Sequence, residues 1–176
     1  MYILILIVSL YSVYLIPSDV YGQQKTSDFL KVKNSILGVS INIPTDWVLV
    51  DQGIRKEDPS VGYILFQPHY SSVGSLSINV RNLSFNNMSI SYYDQKYQQE
   101  DDRFFKINIL ENSNNTTLAG LPAHSRITNS PVGMGLKIWT LKNNKSYEVS
   151  FSSLDKNGFD QYLPVVKQMI DSFKIL

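Results

Sequence analysis

Leu76, Ile78 and Val80 alternate with Ser75, Ser77 and Asn79, the cleanest two-residue period in the chain. Successive side chains of a strand point to opposite faces, so this pattern predicts a strand with one face buried. Leu37, Val39, Ile41 and Ile43 alternate with Gly38, Ser40 and Asn42 in the same way, and Pro44-Thr45-Asp46 turns the chain. Trp47 to Val50 restarts an extended run, and the charged stretch from Gly53 to Ser60 reads as a solvated loop. Val61 to Gln67 is a further strand, ended by Pro68. Asn86-Asn87 breaks the pattern, and Ser89 fits an N-cap for a helix running to about Arg103. Ile90, Tyr93, Tyr97 and Phe104 fall on its inward face, and Gln98 to Asp102 on the face toward water.

Phe105, Ile107 and Ile109 alternate again, and Asn112 to Thr117 reads as a polar turn. Leu118 to Ala123 bends into a strand through Ile127, and Asn129 to Gly135 reads as another turn. Leu136 to Lys142 and Ser146 to Ser152 predict a hairpin across Asn143-Asn144-Lys145. Tyr147, Val149 and Phe151 share one face of it, and Ser146, Glu148 and Ser150 the other. Phe159, Tyr162, Leu163, Val166, Met169, Ile170 and Phe173 then follow helical spacing and predict a C-terminal helix. Pro164 lies inside that stripe, so the helix is expected to start or kink there. Lys174 to Leu176 packs back on the sheet. Hairpin-like connections argue for an antiparallel α+β sandwich rather than a doubly wound parallel sheet. No period of a repeat architecture is visible.

The N-terminus is set apart by its pattern. Tyr2 to Ile16 is almost unbroken apolar sequence, interrupted by Ser9 and Ser12. As a helix it spans roughly 22 Å at about 1.5 Å per residue, short of the roughly 30 Å of a bilayer core. The run suits the apolar region of a signal peptide cleaved before Gln23, or an uncleaved N-terminal membrane anchor. Residues 1–22 are therefore read as signal peptide or anchor, 23–34 as a polar linker, and 35–176 as the domain.

Composition narrows the chemistry. The chain has 176 residues, 43% of them hydrophobic, which is enough for one domain with its own core. It has no Cys, so disulfides, thiol catalysis and Cys-ligated zinc are excluded. Two His make a multi-histidine metal site a poor expectation. A net charge of +1 gives no field that argues for nucleic acid. Asn-x-Ser/Thr sequons at Asn82, Asn87, Asn114, Asn115 and Asn144 agree with export and are candidate glycosylation sites.

Three segments together resemble one family. Gly38 to Trp47 resembles the strand–turn–Trp signature near the start of PsbP-like domains. Leu118-Ala119-Gly120-Leu121-Pro122-Ala123 is similar to their entry into a central strand. Tyr147 to Phe151, with Phe159, Tyr162-Leu163-Pro164 and Met169 to Phe173, is similar to their closing strand and helix. The resemblance covers roughly residues 36 to 174. It implies an α/β/α sandwich with a central antiparallel sheet and helices on its faces, related to the Mog-type Ran-binding fold. Well-known members are extrinsic proteins on the lumenal side of photosystem II that support calcium and chloride retention. The resemblance alone implies weak calcium binding by loop carboxylates, without nominating any. This chain departs from those members: it has no Arg- and Ser-rich transit peptide and no Lys-rich arm before the domain. It reads as a microbial or archaeal surface protein.

No motif for catalysis emerges. Asp155 to Asp160 superficially matches a calcium loop, but Phe159 and Asp160 stand where a ligand and a glycine belong, so it reads as a turn and N-cap. Glu100-Asp101-Asp102 lies on successive helix positions about 100° apart and cannot converge on one ion. His69 and His124 have no acid or hydroxyl at catalytic spacing, no Ser lies in a Gly-x-Ser-x-Gly elbow, and Gly133-Met134-Gly135 is too short for a phosphate loop. The expectation is a non-enzymatic binding or accessory module at the cell surface, without cofactor or metal, acting as a monomer on an envelope or membrane protein. It contacts the membrane through the N-terminal segment if that stays uncleaved. The alternatives are a small-ligand or lipid-binding protein with an apolar pocket between sheet and helix, and a hydrolase built on one of the histidines.

Overall fold

A computed structural model describes residues 28–69, 74–98 and 106–176. Strands β1 (Phe29–Asn34), β2 (Val39–Pro44), β3 (Trp47–Ile54), β4 (Val61–Pro68) and β5 (Gly74–Asn82) come first. A short helix α1 (Ile90–Tyr93) continues as a wider π turn over Asp94–Gln98. Strands β6 (Asn108–Leu118), β7 (Leu121–Ser130), β8 (Gly133–Lys142) and β9 (Lys145–Ser153) follow, then α2 (Lys156–Ser172) and the two-residue β10 (Lys174–Ile175). β3-β4-β5-β9-β8-β7-β6 form one antiparallel sheet, and β1-β2-β10 a smaller one. The strands expected from the two-residue periods are present, β1 is an additional one, and β4, β5 and β9 bury the apolar half of each period.

One face of the large sheet carries the core. Phe66, Leu76, Ile78, Val149 and Phe151 project from it and are essentially fully buried. α2 lies against them through Phe159, Val166, Met169 and Ile170, and Phe159 stacks on Phe151 at 5.6 Å. The small sheet adds Val39, Ile41 and Ile43, while Trp47 meets Tyr162 edge-on at 5.9 Å. Each such side chain contributes about 1.5–3 kcal/mol on leaving water. Ser172 accepts from Asn42 N at 2.8 Å and ties the end of α2 to β2.

β5 and β9 are neighbours, although β6, β7 and β8 come between them in sequence. After β5 the chain therefore crosses to the far edge of the sheet before it meanders back. α1 and the π turn belong to that crossing. Tyr93 packs with Leu83 and Trp139 in a second cluster, on the face opposite the core. The layers are thus mostly antiparallel sheet with two helical segments, one of seventeen residues on the core face and one of nine on the other. Full helical layers on both faces, as in the expected α/β/α sandwich, are not what the described residues form.

Several boundaries differ from expectation. Phe29–Asn34, assigned to a linker, pairs with β2 from Phe29 opposite Pro44 to Asn34 opposite Val39. Its period is masked because only Phe29 and Val32 pack on the core while Leu30 stays exposed. β3 continues through Gly53 and Ile54, which pair with Tyr63 and Gly62. Asn112 to Thr117 is strand, not turn, with register shifts that absorb its polar run. The turn between β7 and β8 shrinks to Pro131-Val132. α2 starts at Lys156, capped by Asp155, which accepts from Gly158 N at 2.7 Å. Pro164 sits on its exposed side, so the lost backbone bond falls where water can replace it. Residues 1–27, with the apolar run, and Glu100-Asp101-Asp102 lie outside the described residues.

Two glycines separate strain from crowding. Gly38 has φ +69° with open space around a notional Cβ, whereas at Gly133, φ +128°, that atom would sit 2.0 Å from Ser153 O. Gly38→Ala should cost about 1 kcal/mol. Gly133→Ala should cost about 3 kcal/mol, because the β8–β9 backbone must move as well. Urea unfolding of the two variants beside the parent checks the ranking.

Candidate functional site

The face opposite the core holds the polar chemistry. Tyr63, Asn79, Glu148, Trp139 and His124 are successive cross-strand partners on β4, β5, β9, β8 and β7. Leu65, Ser77, Ser150, Lys137 and Arg126 form the adjacent row. Both rows are the outward half of strands whose inward half is core, so the same alternation that builds the interior builds this surface.

The crossing segment covers part of it. Asp94, the first residue of the π turn, accepts from Trp139 Nε1 at 2.7 Å and pairs with His124 Nδ1 at 2.6 Å. Trp139 is wholly buried and the Arg126 guanidinium lies 5.2 Å from its ring centre. Four residues further on, Gln98 is 2% exposed, where the helical period placed it toward water. The π turn explains the difference. Five residues of α-helix rotate about 500°, which leaves Gln98 about 140° away from Tyr93. The wider i→i+5 turn rotates less per residue and brings both onto the sheet.

Gln98 Nε2 donates to Glu148 Oε2 at 3.0 Å, and its Oε1 accepts from Lys137 Nζ at 3.1 Å. Ser150 Oγ donates to Glu148 Oε1 at 2.9 Å, and Lys137 Nζ lies 3.8 Å from Oε2. Burial pushes the Glu148 carboxyl up. The Lys137 ammonium, the Gln98 and Ser150 hydrogen bonds and the charge of Arg55 outweigh burial and hold it below the usual value. Burial, with Glu148 nearby, pushes the Tyr93 hydroxyl up to about 12.

Beside this network is a polar cavity of about 260 Å³. Arg55, Arg81, Tyr97, Gln98, Lys137 and Glu148 are among its walls. The pocket between sheet and α2 expected for an apolar ligand is instead packed with side chains, and the cavity under the other helical segment is polar.

The sequence candidates scatter. His124 does meet an acid, Asp94, but its other neighbour is an indole, and no hydroxyl bonds to it among the described residues. His69 is an exposed turn residue whose N–H donates to Asp46 O at 2.7 Å. Asp155 caps α2, and Gly133-Met134-Gly135 opens β8. Asn82, Asn87, Asn114, Asn115 and Asn144 are all exposed, and Asn144 Nδ2 already donates to Leu83 O at 2.8 Å. Among the described residues no group of three or more His, Asp or Glu could hold a metal ion, and no helix is long and apolar enough to cross a membrane. Sequence reasoning missed Asp94, Gln98, Lys137, Arg55 and Arg81. The available signal was a charge, Glu148, at an outward position of a strand flanked by two others.

Comparison by sequence finds no matching family model and no matching curated protein. Comparison by structure does find relatives. Cyanobacterial PsbP (CyanoP) from Synechocystis sp. PCC 6803 superposes with a TM-score of 0.64 at 13% identity, over 88% of this chain and 96% of that one. The chain has the PsbP/Mog-like fold. The Ran-binding protein Mog1p of Saccharomyces cerevisiae matches at TM-score 0.50 and 6% identity, over 85% of this chain and 96% of its own. PA94 of Pseudomonas aeruginosa, a protein of unknown function described as a putative regulator, matches at 0.50 and 11%, over 80% and 92%. The PsbP/Mog-like fold thus spans nearly the whole length of each relative while sharing few residues with it, so the outer-face chemistry is this chain's own to explain.

Asp94→Ala strands the buried Trp139 N–H and should cost about 3 kcal/mol. Trp139→Phe should then cost less in that background than in the parent, a coupling that a double-mutant cycle in urea reads directly.

The pKa directions give opposite limbs. The folded pKa of Glu148 is lowered, so its contribution is present above about 4.5 and is lost as pH falls through the folded value. That of Tyr93 is raised from 10.0 to about 12, so its contribution is present below 10.0 and lost as pH rises toward 12. Unfolding midpoints should fall at both extremes. Glu148→Gln should flatten the acid limb and Tyr93→Phe the alkaline one.

Proposed function

We propose that the chain is a non-enzymatic, exported accessory domain that docks on a protein of the cell envelope or membrane and works through its surface. The observation that carries this is how the reactive groups are spent. The buried acid, base and indole groups of the outer face are bonded to one another, and the core face is filled by α2. What remains for work is surface. β3 and β6 are the outer strands of the large sheet, and they expose Val48, Leu49 and Val50 on one edge and Ile109 and Leu110 on the other. An open strand edge with exposed apolar side chains can accept a further strand from a partner. Support also comes from the fold relatives, one of which is described as Ran-binding. Export rests on the apolar run from Tyr2 to Ile16 and on the exposed sequons.

A photo-crosslinking residue at Val50 tests the docking. In the native cell it should trap a discrete envelope protein, while the same residue at Lys167 on the exposed side of α2 should not. Mature protein recovered from inside the cell with Met1 intact, or equal trapping at both positions, would overturn the proposal.

A second reading, a small-ligand protein, is favoured by the outer-face cavity. Its polar walls suit a polar ligand better than a lipid.

A further inference from the structure

The outer-face cavity offers more hydrogen-bond donors than the protein uses. Arg55 N donates to Val61 O at 2.8 Å across one side of β4, and Arg81 is the register partner of Val61 on the other. The two arginines therefore start about two strand spacings apart, roughly 10 Å, and both side chains line the cavity. Arg55 donates to Asn79 Oδ1 at 2.8 Å, and Arg81 pairs with Asp58. Among the described residues the remainder of each guanidinium fork meets no protein acceptor. Arg81 is also held in orientation, 4.9 Å over the Tyr97 ring.

Glu148 does not consume these donors. Its oxygens take hydrogen bonds from Gln98 and Ser150, with Lys137 beside them. Arg55, Arg81 and Lys137 against one carboxylate leave the lining net positive. Planar guanidinium forks match the oxygen pairs of carboxylate and phosphate. We propose that this cavity binds a small oxyanion, a carboxylate or phosphate group held between Arg55 and Arg81 with Lys137 behind it. Its volume of about 260 Å³ equals about nine waters at ~30 Å³ each, so the ligand is small or enters by its anionic end. The inference rests on the small-ligand reading and is independent of protein docking.

Isothermal titration of the full chain with inorganic phosphate, and separately with acetate, at an ionic strength fixed by sodium chloride, tests it. Saturable binding is expected with at least one anion, weakened about tenfold or more by Arg55→Gln and by Arg81→Gln. Tighter phosphate indicates a phosphoryl ligand and tighter acetate a carboxylate one. Arg55→Gln is decisive, because Arg55 is exposed and its loss leaves the Arg81–Asp58 pair in place. A thermal melt equal to the parent's establishes that this variant folds. Saturable heat from neither anion, or unchanged binding in a folded Arg55→Gln, overturns the proposal. Neither result touches the crosslinking at Val50.

Discussion

The pairing of β5 with β9 constrains the rest of the molecule. All strands of the large sheet run antiparallel, and a simple meander would have left its outer face to water. Because the strand beside β5 is the last of the large sheet to be made, the chain must leave β5, cross the sheet and start again at its far edge. The crossing takes the outer face, since α2 and the small sheet fill the other. Polar residues that would have been solvated there become partly or wholly buried.

Burial of polar groups is costly unless each finds a partner. The crossing segment supplies the partners. Asp94 and Gln98, one turn apart, each reach two groups on the sheet: Asp94 takes His124 and Trp139, and Gln98 takes Glu148 and Lys137. A regular α-helix would keep these two on one face but turn Gln98 away from Tyr93, so the π turn is the backbone's adjustment to a sheet that takes both Tyr93 and Gln98. A wide turn in an otherwise short helix is thus a consequence of the strand order rather than a local preference of its residues.

The strands were legible because their inward halves are mostly apolar, as in Leu76-Ile78-Val80 and Tyr147-Val149-Phe151. α2 was legible because its stripe is long enough to override Pro164. β1 and the Asn112–Thr117 part of β6 were not. Both lie in outer strands of their sheets, where one side of the ladder is unpaired and the residues need not be apolar to keep their place. Only the strand pairing marks them, and pairing is a long-range fact. The candidate site was hidden for the same reason. Arg55, Asn79, Lys137 and Glu148 come from the end of β3 and from three other strands, and look like ordinary solvated positions until the register sets them side by side.

The two faces of the sheet therefore carry different duties. On the core face, apolar contacts tolerate exchange as long as volume is kept, which fits a fold retained at 13% identity or less with its structural relatives. On the outer face, the polar groups that the crossing segment meets are matched by direction as well as by size, and changing one member strands the other. A charge lost from the Glu148 network is felt by Lys137 and Gln98, and through Gln98 by the crossing segment that also carries Tyr97. Tyr97 in turn orients Arg81. Binding of an anion by the arginines and docking of the crossing segment on the sheet are thus linked through one set of side chains: whatever occupies the cavity also bears on the segment that roofs it.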